Sequence, residues 1–478
     1  MRKVGERPVS GHLQNAANFC RRFRDDESGT MTIFIMFIIV LTLIVAGMAV
    51  DFMKFESRRT IMQGAIDRAV LAAADLDQER DPAEVVRDYV AKSQGGNCLS
   101  SDPDIIPGAN FRSVTANCEL EMDTYFLRIL GMETLTALAT ATAVEGVGNV
   151  EVSLVVDISG SMGGNVPSAG KRKIDLLEDA GLAFVDTLLQ PEYEDRISVS
   201  LVPYTAQVNA GEHLFNVSGA DRRHWFSNCV DIPDSEFNNT DWNATIDLPQ
   251  AQHFRFRSYH SFGCPTESYE EIIPITQDKG ELEAAIRQLE PRSTTSIFLG
   301  LKWGAALLDP SFQDEYAALP ASMRDPAFSG RPENYGNSNN PSDTKKYIVV
   351  MTDGENFQTN TLKPWAYETD SQIAQWAIRD LYTMYDREFG RVASRYYDFY
   401  ETKYSANYGD QLMDQICTAA KAQGIIIFSI AMDAGSHGEQ EMSKCASSPG
   451  HYFQTSGAEL VAIFEAIADQ ITDLRLTL

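Results

Sequence analysis

The chain has 478 residues, 44% of them hydrophobic and 10% aromatic, with a formal charge of −27. That is too long for a single compact core and too apolar for a disordered acidic chain, and an acidic body repels phosphate backbones, which argues against nucleic-acid binding. The charge is uneven: residues 1–50 hold six Lys/Arg against four Asp/Glu, so the remaining 428 residues carry a net −29.

In chain order, residues 1–28 are polar, lack an apolar period and read as a cytoplasmic tail. Met31 to Val50 then supply twenty residues without a charge. A helix of that length spans about 30 Å, the hydrocarbon thickness of a bilayer, so 29–50 reads as a transmembrane helix. Basic residues stand on both flanks, Arg21, Arg22 and Arg24 before it and Lys54, Arg58 and Arg59 after it, so local charge does not orient it. The cysteines do more. Cys20 precedes the segment and Cys98, Cys118, Cys229, Cys264, Cys417 and Cys445 follow it. An even set on one side suits an oxidising compartment, which puts the body outside the cytoplasm. Neighbours pair as 98/118, 229/264 and 417/445, although six cysteines leave the connectivity open.

Beyond the apolar segment, Phe52, Phe55, Ile61, Met62, Ala65, Ile66, Ala69, Val70 and Ala73 recur at helical spacing, an amphipathic helix serving as a stalk or as a packing face in an assembly. Residues 81–148 are mixed, with turn signals at Gln94–Asn97 and Pro107–Asn110, so 51–148 reads as a stalk plus a small connecting module. From 149 to 478 strand-like apolar runs alternate with helical segments: Val150–Val156, Ile174–Leu189, Ile197–Val202, Leu282–Leu289, Ile297–Leu308, Tyr347–Met351, Leu412–Ala422, Ile425–Ala431 and Leu460–Ile471. This is the pattern of an α/β domain with a doubly wound, mostly parallel sheet, whose ligands sit outside the carboxyl ends of the strands. Polar stretches at about 205–272, 310–345 and 357–408, the last with a helical run from Asp370 to Tyr385, belong on its rim as inserts.

Three loops carry oxygen chemistry. The first apolar strand runs into Asp157-Ile158-Ser159-Gly160-Ser161, one carboxylate and two hydroxyls at alternate positions, the hard donors that magnesium requires. A bland reading of the same loop is a helix cap or an Asx-turn, which satisfies backbone donors without a metal. A later strand ends in Asp353-Gly354, and Arg292 to Leu301 forms a hydroxyl-rich loop opening a helix.

These loops resemble the von Willebrand factor type A domain and its metal-ion-dependent adhesion site. The resemblance implies that Asp157, Ser159 and Ser161, Thr295 on the second loop and Asp353 on the third hold one divalent cation, Mg²⁺ with Mn²⁺ or Ca²⁺ as substitutes. Thr295 is chosen over Thr294 because its spacing to Ile297 and Gly300 fits the family pattern. Ser293-Thr294 stands where the family often has Gly-Gly. With so few charged ligands the cation stays electrophilic and can take a carboxylate from another protein.

The whole chain also resembles the TadG-like proteins of Flp (tight adherence) pilus assembly. The matching stretches include Arg21 to Gly29, Met62 to Ala74, Leu201 to Tyr204, Gly300 to Gly304, Met351 to Asn356, Cys445 to Pro449, His451 to Phe453 and Leu474 to Leu476. Gly29 stands where prepilin processing would occur, but Phe34 replaces the usual Glu. The resemblance implies a non-enzymatic component of pilus assembly or surface adhesion in the bacterial cytoplasmic (inner) membrane, single-pass, with a periplasmic or extracytoplasmic C-terminal domain. Its cation site would bind a protein partner among the pilus or assembly components. The rival is a metal-dependent hydrolase or a chelatase-like partner of an ATPase. The sequence has no Gly-x-x-x-x-Gly-Lys-[Ser/Thr] loop for nucleotide and no His-Glu-x-x-His, and His451 reads as a packing residue.

Overall fold

The computed structural model describes residues 21–22, 24, 30–75, 80–93, 96, 98–107, 111–146, 148–256, 263–336, 344–389 and 398–473. Most of the N-terminal tail, most of both turn signals at 94–97 and 107–110, and Leu474 to Leu476 lie outside them. The chain divides into two compact units, residues 1–146 and 147–477.

In the first unit, helix α1 (Thr30–Ala74) runs without a break through the apolar segment and the amphipathic one. Its N-terminal part is long and apolar enough to cross a membrane and leaves its large side chains exposed. Its C-terminal part buries Met62, Ile66, Ala69, Val70 and Ala73, the face that the helical spacing marks. That face packs with α2 (Pro82–Lys92) and an antiparallel sheet of β1 (Asp104–Pro107), β2 (Phe111–Asp123) and β3 (Thr134–Gly146). Along β3, Ala137, Ala139, Ala141 and Ala143 are buried against the helix. The alternation is there in the sequence, but alanine and threonine differ too little in polarity to advertise a strand. The mixed segment 81–148 and the end of the stalk therefore share one core. At the end of the apolar stretch Asp51 is buried, and its carboxylate accepts from the backbone N–H groups of Tyr125, Phe126 and Leu127 at 3.2, 2.8 and 2.9 Å.

The second unit is built on six strands: β4 (Val150–Asp157), β5 (Ile197–Tyr204), β6 (Ile273–Thr276), β7 (Lys345–Thr352), β10 (Ile426–Met432) and β11 (Tyr452–Thr455), while β8 (Thr359–Leu362) and β9 (Tyr400–Tyr404) form a small separate pair. The order in the large sheet is β11-β10-β7-β4-β5-β6, parallel throughout except that β6 runs antiparallel to β5. All eight residues of β4 are buried, because helices cover both faces of the sheet. On one face lie α3 (Lys173–Leu188), α4 (Lys279–Ile286) and α10 (Leu460–Asp473), where Phe184 meets Phe464 edge-on. On the other lie α5 (Ile297–Ala306) and α8 (Ala406–Ala422). All ten residues of α5 are buried, since insert residue Trp242 stacks on Trp303 from outside. Gly304 lets α5 approach β4 so closely that an added Cβ would lie 2.6 Å from Val155.

From the central β4 the chain first builds outward through β5 and β6, then returns to lay β7, β10 and β11 on the opposite side. The strand order reverses between β4 and β7, which opens a crevice at their carboxyl ends.

The inserts at 205–272 and 357–408 share a core of their own, including Phe254, Leu362, Ile373, Trp376, Leu381 and Phe399. It is framed by the antiparallel pairing of β8 with β9. The helical run expected from Asp370 to Tyr385 is two helices, α6 (Asp370–Ile378) and α7 (Leu381–Phe389). Arg379 is extended, and the Asp380 carboxylate caps the new helix by accepting from Thr383 N–H at 2.8 Å.

The three disulfides join Cys98 to Cys118, Cys229 to Cys264 and Cys417 to Cys445, the neighbouring pairs. The last ties α8 to the end of α9 (Gly435–Cys445).

Candidate metal centre

The crevice brings the three oxygen-bearing loops together. Asp157 is the last residue of β4 and is fully buried; Asp353 follows β7 directly and is 4% exposed. Ser159 Oγ and Ser161 Oγ lie 2.9 Å apart, and Ser161 donates to Asp353 Oδ1 at 2.6 Å. A continuous run of hydroxyls thus leads from the first loop to the third. The second loop is stitched to the first by backbone bonds: Gly160 N–H to Ser293 O at 3.0 Å and Arg292 N–H to Ile158 O at 2.9 Å. Thr295, 6% exposed, is held to the third by Phe357 N–H donating to its carbonyl at 2.8 Å.

Ser293 makes the turn of the second loop. It sits at φ 64°, in the left-handed region that glycine occupies freely and serine at a cost. Gly160 is needed on the facing side, because a Cβ there would lie 3.0 Å from the Ser293 carbonyl oxygen.

The Asx-turn reading of the first loop is also realised: Asp157 Oδ1 accepts from Ser159 N–H at 2.7 Å. Its other oxygen, Oδ2, accepts from Thr352 Oγ1 at 2.7 Å, a partner that the strand-end position of Thr352 gave no reason to single out. Burial, together with the facing Asp353 carboxylate, pushes the Asp157 pKa up to about 7, against hydrogen bonds from Thr352 and Ser159 that lower it. Two carboxylates in so dry a place call for a cation. The nearest one described is the Lys173 ammonium, 3.0 Å from Asp353 Oδ2 and 3.4 Å from Asp433 Oδ2. Neither Lys173 nor Asp433 belongs to the sequence motif.

Among the described residues no three His, Cys, Asp or Glu side chains group to bind a metal. The donor set is two carboxylates with serine and threonine hydroxyls, which fits a hard, partly hydrated cation such as Mg²⁺ and not a soft one. Asn356 braces the surroundings: it accepts from Ile297 N–H at 2.8 Å, fixing the start of α5, and donates to Asp410 at 3.0 Å. His451 does pack, its ring edge-on to Phe428, with Nδ1 2.7 Å from Ser448 Oγ, but in the turn before β11 instead of within the strand. Beside the loops opens a cleft of about 610 Å³, bounded by Gly160, Ser293 and Thr294 on one side and by Phe254, Phe357 and Tyr400 of the inserts on the other.

Comparison with known proteins bears on each unit separately. Residues 29–76 match the Flp pilus-assembly TadE/G-like family model. No curated protein matches the chain significantly. Among solved structures, the von Willebrand factor domain of the type V pili tip protein Mfa5 from Porphyromonas gingivalis is similar at 16% identity, covering 69% of this chain and 97% of that one, with a TM-score of 0.35. The pilus adhesin SpaC from Lactobacillus rhamnosus GG is 13% identical, with 77% of this chain covered, a TM-score of 0.33 and only 34% of the adhesin's own length spanned. A von Willebrand factor type A protein from Catenulispora acidiphila is 11% identical over 79% of this chain and 51% of its own, with a TM-score of 0.28. The chain thus joins an N-terminal segment that matches the TadE/G-like Flp pilus-assembly model to an α/β unit built on a six-stranded, mostly parallel sheet.

Proposed function

We propose that this protein is a membrane-anchored, non-enzymatic component of Flp pilus assembly or surface adhesion, and that its α/β unit binds a protein partner through a divalent cation held by Asp157, Ser159, Ser161, Thr295 and Asp353. The observation that carries the reading is the hydroxyl path from Ser159 through Ser161 to Asp353 at the point where the strand order reverses. The two Asp carboxylates supply charge, the hydroxyls neutral oxygens, and the remaining positions are left to water or to a partner's carboxylate. The adjoining cleft gives the partner's neighbouring residues somewhere to go. When bound, the cation supplies the electrostatic attraction for that carboxylate; the protein's own loops fix where it sits.

The N-terminal match and the apolar half of α1 support anchoring in the bacterial cytoplasmic membrane. Three disulfides in the body support an extracytoplasmic location for it, with the tail in the cytoplasm.

The test is thermal unfolding of the full chain in detergent with increasing Mg²⁺ or Mn²⁺. A cation at about 100 times its Kd stabilises the native state by roughly 2.7 kcal/mol, a shift of several degrees. Asp157→Ala and Asp353→Asn should each abolish that shift. A wild-type protein whose melting temperature ignores both ions would remove the cation from the proposal.

A further inference from the structure

We infer that Lys173 is the resident cation of this loop cluster, a built-in competitor whose displacement from Asp353 sets how tightly a divalent ion is held. The inference rests on the cation reading above and adds to it the residue that a metal must evict. Lys173 is the first residue of α3, and its backbone N–H donates to Gly164 O at 2.8 Å, which fixes where the side chain starts. The stem runs alongside Gly164, where an added Cβ would be in ordinary contact with Lys173 Cε at 3.8 Å and tight against the Ser161 carbonyl oxygen at 3.1 Å. Guided this way, the side chain is only 12% exposed, and its ammonium faces Asp353, whose side chain is fully buried.

That arrangement has two acceptors of unequal burial. Asp353 Oδ2, at 3.0 Å from the ammonium, is inside the cluster; Asp433 Oδ2, at 3.4 Å, belongs to a side chain 71% exposed, just past the end of β10. A divalent ion between Asp157 and Asp353 would bring two positive charges against the ammonium at close range in a poorly screened place. The lysine then has to give up Asp353, and Asp433 is already within reach to keep it. Binding becomes an exchange of one cation for another, and Asp433 lowers its cost. Ordinary structural pairing predicts otherwise: removing Lys173 would weaken the fold and leave metal affinity alone.

Mn²⁺ binding to the full chain, followed by the loss of the free-ion electron paramagnetic resonance signal, separates these. Lys173→Met should bind Mn²⁺ roughly tenfold or more tightly than wild type, the scale of one charge-assisted contact. Lys173→Arg, which keeps the charge, should stay weak. Asp433→Asn, at an exposed position that does not threaten folding, should weaken binding in the wild-type background and have no effect beside Lys173→Met. If wild type and Lys173→Met bind equally, the lysine inference fails and the cation site stands. If neither binds Mn²⁺, both fail together. An Asp433→Asn effect that persists in the Lys173→Met background would overturn the role given to Asp433.

Discussion

Asp157 stores a pH dependence. Its folded pKa of about 7 lies above the ordinary carboxylate value of 3.8 because it is buried opposite Asp353. Between those values the folded state keeps a proton that the unfolded state has released, so this group's contribution to stability falls as pH rises from about 4 to about 7 and then levels off. A divalent ion competes with that proton. With EDTA present, urea unfolding at pH 5.5 and 7.5 should give a larger loss of stability at the higher pH for wild type than for Asp157→Asn. Adding Mn²⁺ should stabilise wild type more at pH 7.5 than at 5.5. Equal pH slopes for the two proteins would sink this account. At this scale the sequence was readable where an oxygen-bearing side chain sits at a fixed offset from a strand end: that rule picked out Asp157, Ser159, Ser161 and Asp353, and the structure brings them to one crevice. Lys173 and Asp433 were not, because a lysine opening a helix and an aspartate following a strand are ordinary surface features until the fold brings them together. Ser293 was legible only as a departure from the resemblance, and its positive φ is the backbone region that glycine adopts most freely.

Helix α5 depends on close approach to β4. A Cβ on Gly304 would lie 2.6 Å from a Val155 methyl, and one on Gly300 would lie 2.7 Å from the Tyr204 ring, with both neighbours buried and unable to swing away. Gly304→Ala is therefore expected to destabilise the α/β unit by about 1–3 kcal/mol through overpacking. Chemical denaturation would measure it, and a neutral outcome would mean that the helix can shift outward despite the Trp242 stack. The alternating strands and helices of this unit stood out in the sequence because a parallel sheet covered on both faces requires continuous apolar runs flanked by amphipathic helices. The inserts did not stand out as a shared subdomain. Their residues are scattered over two segments separated by the strands and helices between 272 and 357, and they meet where Phe254 enters the cluster around Trp376 and Gln252 and His253 bond to Leu362 and Tyr367. Strand β3 was missed because its alanine and threonine alternation has low contrast, whereas β2 alternates plainly, Val114, Ala116, Cys118, Leu120 and Met122 against polar neighbours, and was legible.

At the scale of the molecule, charge and cysteines are divided by the apolar half of α1. Six of the seven cysteines are paired in three disulfides on its C-terminal side, and Cys20 is the remaining one. Non-reduced protein from intact cells should therefore contain a single alkylatable thiol, reached by a membrane-impermeant reagent from the cytoplasmic side. Labelling of Cys20 from outside would reverse the proposed orientation.

The unbroken course of α1 has a mechanical consequence. The same helix that enters the apolar stretch at Thr30 ends inside the core of the first unit at Ala74, and Asp51 clamps three consecutive backbone amides of the β2–β3 connection where the apolar stretch stops. No slack intervenes between the greasy end of the rod and the sheet packed on the other. In the anchored protein proposed above, tension on that sheet would pass straight into the bilayer instead of being absorbed by an uncoiling tether, and yielding would require either tearing away the carboxylate's three amide partners or pulling the rod itself out of the lipid.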